Sequence, residues 1–283
     1  MIVTYPFEES VIKQFQVDKT IYDCIDYPGS GVQSGDDILM KKRHEHLVEM
    51  ADAVCVNTEA FKPLCSRAKR LVKIPVGYPL SKFQGKTYFP TPNSLHSIPR
   101  PLVGFIGYTF VRMDIRLLLS VAARNRDMSF IFVGPLVGDL RHSNVSRQKI
   151  REFYHLWKRF SSLSNVYHFG IRAKEDIAAY ISAFDVCIIP YDLDQRPNQY
   201  ANPIKAYEYL YFGKQIVATP MKPLMDFKEY ILFANTPEEF SSKLRKALNT
   251  KLSPREILKR KSIATSHDVR KKAHAIMELL PSI

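Results

Sequence analysis

Residues Pro190–Pro220 read PYDLDQRPNQYANPIKAYEYLYFGKQIVATP. The preceding residues, Val186–Ile189, form an apolar, β-branched run that reads as a buried strand ending at Pro190. A polar loop, Tyr191–Ala201, follows. Asn202 is a residue type that caps helices, and Pro203 suits a first helical position. The helix predicted there runs to Phe212 and stops at Gly213, which tolerates the left-handed geometry of a C-terminal cap. A second buried strand, Gln215–Ala218, begins at once. Such an order belongs to a parallel sheet covered by helices, and it puts a helix N-terminus at the sheet's carboxyl edge. Unpaired backbone N–H groups and the helix dipole favour an anion there.

Lys205 lies one turn into this helix and supplies a mobile positive charge suited to phosphate. Glu208, three residues on, shares its face. A carboxylate accepts two hydrogen bonds, as from the adjacent hydroxyls of a ribose. The predicted site is one for a nucleoside diphosphate, with Asn202, Pro203, Ile204 and Lys205 on the phosphates and Glu208 on the sugar ring. By itself a Lys–Glu pair at i, i+3 is ordinarily a solvated surface pair. The strand–loop–helix–glycine–strand setting gives this one a different meaning.

Outward from this stretch the same alternation continues. Strands are predicted at Leu102–Ile106, Phe130–Val133, Val166–His168 and Ile231–Phe233, and helices at Asp114–Asn125, about Gln148–Phe160, Glu175–Phe184 and Glu238–Leu248. Thr236-Pro237-Glu238-Glu239 reads as a capping box. Helical stretches at Pro254–Ile263 and His267–Leu280 end the chain. Before Leu102, Gln84–Pro101 is rich in Pro and lacks periodicity, as a linker does. The first part has strands at Met1–Tyr5, Thr20–Cys24, Ala53–Asn57 and Leu71–Pro75, and a helix at Ile38–Met50 whose face is drawn through Ile38, Leu39, Leu47, Val48 and Met50. The expected organisation is a partial domain over 1–83, a linker over 84–101, a complete ligand-binding domain over 102–263, and a C-terminal helix, 264–283, returning to the first domain.

Composition narrows the partners. Residues 1–99 hold 12 basic and 11 acidic side chains, whereas 100–283 hold 29 and 17. A basic second half suits an anionic ligand or an anionic membrane surface. The tail, 251–283, has eight basic and three acidic residues; such charge is common on an ordinary solvated surface, and it also suits peripheral contact with an anionic membrane. Nucleic acid fits poorly, since no zinc-finger spacing, RRM-type aromatic motif or basic helix-turn-helix signal is present. No apolar run reaches the roughly 20 residues of a membrane span, and the N-terminus lacks the pattern of a signal peptide. The chain reads as cytoplasmic. Its four cysteines have no metal spacing and read as buried thiols. The pairs Asp23/Asp26, Asp36/Asp37 and Asp192/Asp194 read as turn and cap chemistry. No metal site is expected, and no histidine receives a role.

Asn202-Pro203-Ile204-Lys205-Ala206-Tyr207-Glu208-Tyr209-Leu210, followed by Gly213-Lys214-Gln215-Ile216-Val217-Ala218-Thr219-Pro220, resembles the N-P-L-K-x-x-E-Y-L-x-x-G-K-P-V-V-A-T signature of a teichuronic-acid-type branch of glycosyltransferase family 4. Phe105-Ile106-Gly107, Phe130–Pro135, Asn165–Gly170 and Phe184–Pro190 are similar to successive strands of the family's donor domain, and Tyr22–Asp26, Glu45–Asp52 and Ile74–Gly77 to the rear of its acceptor domain. The resemblance implies a GT-B fold, two Rossmann-type parallel-sheet domains, the N-terminal one incomplete. It implies transfer of a sugar from a nucleotide sugar to a glycan or lipid-linked acceptor, with retention and without a metal or other cofactor. Glu208 then matches the ribose-binding Glu, and Gly170 and Ile171 would lie along the base.

Departures accompany the match. The family's second Glu, eight residues earlier and near the donor sugar, is Tyr200 here. Its Arg after the first strand's Gly is Tyr108, and its diphosphate Lys falls on Met113 beside Arg112, which is the candidate substitute. Its Asn-Gly before the linker is Val76-Gly77. Gly107, Tyr108 and Arg112 thus complete the expected phosphate side. A catalytically inactive relative that binds nucleotide or a partner chain is the rival reading. A sugar-nucleotide epimerase would need carboxylates and a histidine that the sequence does not bring together.

Overall fold

The computed structural model describes residues 1–6, 12, 14–28, 37–83, 88–136 and 145–280. Residues 84–87 of the expected linker, Asp36 and the last three residues lie outside these.

The described strands are β1 (Ile2–Val3), β2 (Ile21–Cys24), β3 (Ala53–Val56), β4 (Leu71–Lys73), β5 (Leu102–Ile106), β6 (Ser129–Val133), β7 (Val166–His168), β8 (Val186–Ile189), β9 (Gln215–Ala218) and β10 (Ile231–Phe233). They form two wholly parallel sheets, ordered β1-β2-β3-β4 and β10-β9-β8-β5-β6-β7. Residues of β2, β3, β5, β6 and β8 are buried throughout. Helices cover both faces of such sheets, so these strands are nearly unbroken apolar runs rather than alternating ones. The second sheet is doubly wound: the chain runs outward from β5 through β6 to β7, then returns to β8 on the other side of β5. The strand order reverses between β5 and β8, and open sheets of this kind bind ligands in the crevice at the carboxyl ends of such strands.

The helices are α1 (Asp37–Met50), α2 (Ile115–Arg124), α3 (Arg147–Ser161), α4 (Lys174–Ala183), α5 (Ile204–Tyr211), α6 (Pro237–Asn249), α7 (Pro254–Ser266) and α8 (Val269–Met277). Three details depart from the sequence reading. Helix α1 buries Met40, His44, Leu47 and Val48, whereas Ile38 and Leu39 are exposed. The spacing i, i+4, i+7, i+8 sets that face, and the first turn faces away from it. Pro203, with extended backbone, is the N-cap of α5 and provides no side-chain cap. Asn202 instead donates its side-chain amide to the Tyr207 hydroxyl at 2.9 Å. At α6 the Thr236 hydroxyl accepts the Glu239 N–H, but the Glu239 carboxylate takes the Asn235 N–H, one residue before the cap. A complete capping box stands at α7, between Ser253 and Glu256.

Residues between the two sheets are shared unevenly. Leu95 and Ile98 are buried in the core of the second domain, and Phe89 packs on Phe212. Past α7 the chain crosses to the first sheet, where Ile276 and Leu279 pack on Ile21, Ala53, Cys55 and Ile74. Lys272 of α8 reaches Asp23 of β2 at 2.6 Å, both side chains largely buried. Asp23 is therefore half of an ion pair joining α8 to the first sheet, not a turn residue. All four cysteines are buried free thiols.

Candidate functional site

Two loops meet at the reversal. One, residues 107–114, leaves β5; the other, 190–201, leaves β8. Backbone hydrogen bonds stitch them together, Asp114 N to Pro190 O at 2.9 Å and Asp192 N to Arg112 O at 2.8 Å. Asn198, fully buried, donates to the carbonyls of Arg112 and Asp192. Thr219, just past β9, accepts from Tyr191 N and donates to Tyr191 O. Tyr209 of α5 accepts the Ile106 N–H at 2.9 Å. The end of β5, the loop after β8 and helix α5 thus form one hydrogen-bonded unit.

Gly107 turns the chain out of β5 with φ +129°, a region that L side chains avoid. A Cβ at Gly134, after β6, would lie 2.2 Å from the Gly107 carbonyl oxygen, and Gly134 N donates to Gly170 O at 2.7 Å. The three turns after β5, β6 and β7 are consequently nested.

Into this edge projects Lys205. Its ammonium donates to the Tyr191 hydroxyl and lies 4.7 Å from the Tyr191 ring centroid and 5.1 Å from that of Phe105. A Cβ on Gly107 would sit 3.7 Å from Lys205 Nζ, so the ammonium stands directly over the glycine turn. Cation–π contacts hold a charge in place without neutralising it, and an anion in the crevice would meet it. Asn202 Oδ1 is buried beside the start of α5 and has no hydrogen-bond partner among the described residues. Tyr108, Ile171 and Ile204, from three different connections at this same edge, are 63%, 73% and 44% exposed.

The remaining expected residues have other neighbours. Arg112 is half-buried, its guanidinium 5.6 Å from the Phe110 ring. Burial lowers its pKa, while Tyr191 and Asp26 oppose that shift. Glu208 is buried one turn deeper than Lys205 and accepts a hydrogen bond from the hydroxyl of Tyr78, which belongs to the segment after β4. Tyr200 stacks on Tyr27 of the first domain at 5.0 Å and packs against Phe61 at 5.3 Å. Gly170 has open space where a Cβ would project. Lys205, Gly107 and the α5 start are therefore brought together; Glu208 adjoins them, and Tyr200 sits in the seam between domains. Sequence reading missed Tyr191 and Tyr78. Tyr191 directly follows the predicted strand Val186–Ile189 and Pro190 at the sheet's carboxyl edge, a position that could have marked it; Tyr78 has no such signal.

A cavity of about 290 Å³ adjoins that seam, walled by Tyr27, Lys41, Glu45, Leu64 and Arg67 of the first domain and by Arg196 of the second. Among the described residues no group of three or more His, Cys, Asp or Glu could hold a metal ion, and no helix is long and apolar enough to cross a membrane.

The chain superposes on solved structures over 98–100% of its length. Sucrose-phosphate synthase from Thermosynechococcus elongatus matches over 98% of this chain and 72% of its own, with TM-score 0.72 and 18% identity. Anabaena HepE, in complex with UDP and glucose, matches over 100% and 78%, with TM-score 0.69 and 15% identity. The fold is GT-B. A UDP-forming α,α-trehalose-phosphate synthase from Burkholderia vietnamiensis shares this GT-B architecture, with TM-score 0.68 and 12% identity over 100% of this chain and 71% of its own. In sequence, the chain is 24% identical over 229 residues to TuaH of Bacillus subtilis (strain 168), which carries the name of a teichuronic acid biosynthesis glycosyltransferase. The match takes in 76% of this chain and 54% of TuaH, so the GT-B chain spans about half the length of the curated relative it matches. No protein-family model matches it.

Proposed function

We propose that this chain binds a nucleotide sugar at the β5–β8 reversal and transfers the sugar, with retention and without a metal, to a glycan or lipid-linked acceptor. The observation that carries the reading is the Lys205 ammonium held over the Gly107 turn beside the N-terminus of α5. Lys205 and the helix start receive the diphosphate. Glu208 takes the ribose hydroxyls, and the base lies along Gly170 and Ile171. As the bond from the anomeric carbon to the phosphate oxygen breaks, negative charge grows on the leaving diphosphate; an ammonium and a helix N-terminus stabilise it most at that point. The acceptor oxygen forms the new bond to the anomeric carbon on the same face, and its proton passes to the departing phosphate. The acceptor enters from the seam, where the cavity beside Tyr27 and Arg196 lies. TuaH's name and the UDP bound to HepE support a nucleotide-sugar donor.

One observation favours a second reading. Tyr200 stands where the family has a carboxylate and is packed between Tyr27 and Phe61, as in a relative that binds nucleotide without turnover. Incubation with a panel of UDP- and GDP-sugars, with and without lipid-linked acceptors, separates the two. Donor consumption that depends on acceptor supports transfer; tight nucleotide binding with no consumption of any donor supports the second reading.

A lipid-linked acceptor would also bring the protein to an anionic membrane face. Helix α7 presents exposed Arg255, Lys259 and Lys261 around Leu258, itself 66% exposed. Sedimentation with vesicles containing phosphatidylglycerol is expected to carry the chain down at low salt and release it at high salt. Equal recovery with neutral vesicles would remove this contact.

A further inference from the structure

Tyr78 occupies a junction. Its N–H donates to His267 O at 2.9 Å, and its carbonyl accepts from Val269 N at 3.0 Å. The segment leaving the first sheet is thereby pinned where α7 hands over to α8. Contact is close enough that a Cβ on the neighbouring Gly77 would lie 2.7 Å from Val269 Cα. From this fixed backbone the Tyr78 side chain, 3% exposed, reaches across to the second domain, and its hydroxyl donates to Glu208 Oε1. Burial first, and the Glu208 charge second, push the Tyr78 hydroxyl well above the usual tyrosine range, so it remains a donor at every ordinary pH.

We propose that Tyr78 is the positioning residue for Glu208, fixing the orientation in which that carboxylate receives the ribose of the nucleotide. The proposal rests on the reading that Glu208 grips the ribose. A carboxylate on a helix has several rotamers, and a bond to one oxygen from a rigid phenol selects among them. Because Tyr78 is anchored at both crossings between the domains, the same bond ties the ribose contact to the relative placement of the two sheets. Tyr78 itself touches no substrate in this scheme.

The test is calorimetric titration of the full chain with UDP and GDP, and then with the 2′,3′-dideoxy form of the tighter binder. The parent is expected to prefer the ribonucleotide by about tenfold or more, the scale of a hydrogen bond to a charged group. Glu208→Gln should lose that preference. Tyr78→Phe, which removes one oxygen and keeps the ring, should lose most of it while leaving dideoxy affinity unchanged. The double variant should be no worse than Glu208→Gln alone. Gly77→Ala moves the Tyr78 backbone and leaves its hydroxyl intact, so it is a second route to the same loss should Tyr78→Phe fail to fold. If Glu208→Gln loses the preference and Tyr78→Phe keeps it in full, Tyr78 is only packing, and the ribose assignment survives. If Glu208→Gln keeps the preference, or neither nucleotide binds the parent, the ribose assignment falls and the positioning role falls with it.

Discussion

Lys205 is held by aromatic faces and a phenol, and among the described residues no carboxylate pairs with it at the sheet edge. On the proposed reading, replacing it by Ala removes one charge-assisted contact to phosphate. A nucleoside diphosphate is expected to bind at least about tenfold more weakly to Lys205→Ala, and the corresponding nucleoside to bind equally to both proteins. Equal weakening of both ligands would mean that Lys205 supports the pocket generally and does not meet phosphate. Gly134 makes a second case at this scale. Its φ of +137° and the 2.2 Å approach of the Gly107 carbonyl oxygen leave no place for a methyl group. Gly134→Ala is expected to cost roughly 2 kcal/mol or more in urea unfolding and to weaken diphosphate binding, because the Gly107 turn must shift. Among the expected residues, Lys205 was legible from the strand–loop–helix order of Pro190–Pro220, and Gly107 from the resemblance of Phe105-Ile106-Gly107 to the family's first donor-domain strand. Glu208 was legible as a residue but not in its partner: Tyr78 lies 130 positions away, and nothing in the local pattern at 74–83 announces the contact.

At the scale of elements the strands were legible to within a residue or two at most ends. Buried parallel strands are continuous apolar runs, and the Pro and Gly that bound them are chemically distinct from their interiors. Helix faces and caps were less so. Ile38 and Leu39 misled because apolar character was read without the i, i+4 rows that Met40, His44 and Leu47 define. Asn202 misled because the Tyr207 hydroxyl competes for its side chain, and a capping site loses to any partner that fixes the residue first. The α7–α8 junction supplies a pH dependence. His267 accepts the Tyr78 N–H through its carbonyl, and its ring packs on Tyr207 at 4.8 Å. Burial lowers its pKa below 6.5, against the pull of a hydrogen bond to Ile263 O. A base whose pKa falls on folding contributes stability above its unfolded value, and that stability is lost as pH falls through the folded one. The melting temperature should therefore drop less steeply between pH 7 and 5 in His267→Gln than in the parent. Parallel slopes would show that the ring does not titrate against folding.

Over the whole molecule, contacts across the seam hold the two sheets in register, among them Tyr27 on Tyr200, Tyr78 with Glu208, Lys73 with Asp226, and α8 lying on the first sheet with Lys272 against Asp23. The last is buried, so removing only its cation strands a carboxylate. Lys272→Met is expected to lose about 3 kcal/mol or more, and Lys272→Met with Asp23→Asn to recover much of it. Failure of the double variant to recover would show that Lys272 acts by packing. The seam is the part of the molecule least visible in sequence, since its contacts join residues that no periodicity relates. On the proposed reading, the anion of the donor lies on one side of that seam only. A crystal structure of the full chain with a nucleoside diphosphate tests the placement most directly. The pyrophosphate should lie within about 3 Å of Lys205 Nζ, over the Gly107 turn and the start of α5. Density for the nucleotide anywhere else, with Lys205 still bound only to Tyr191, would contradict it.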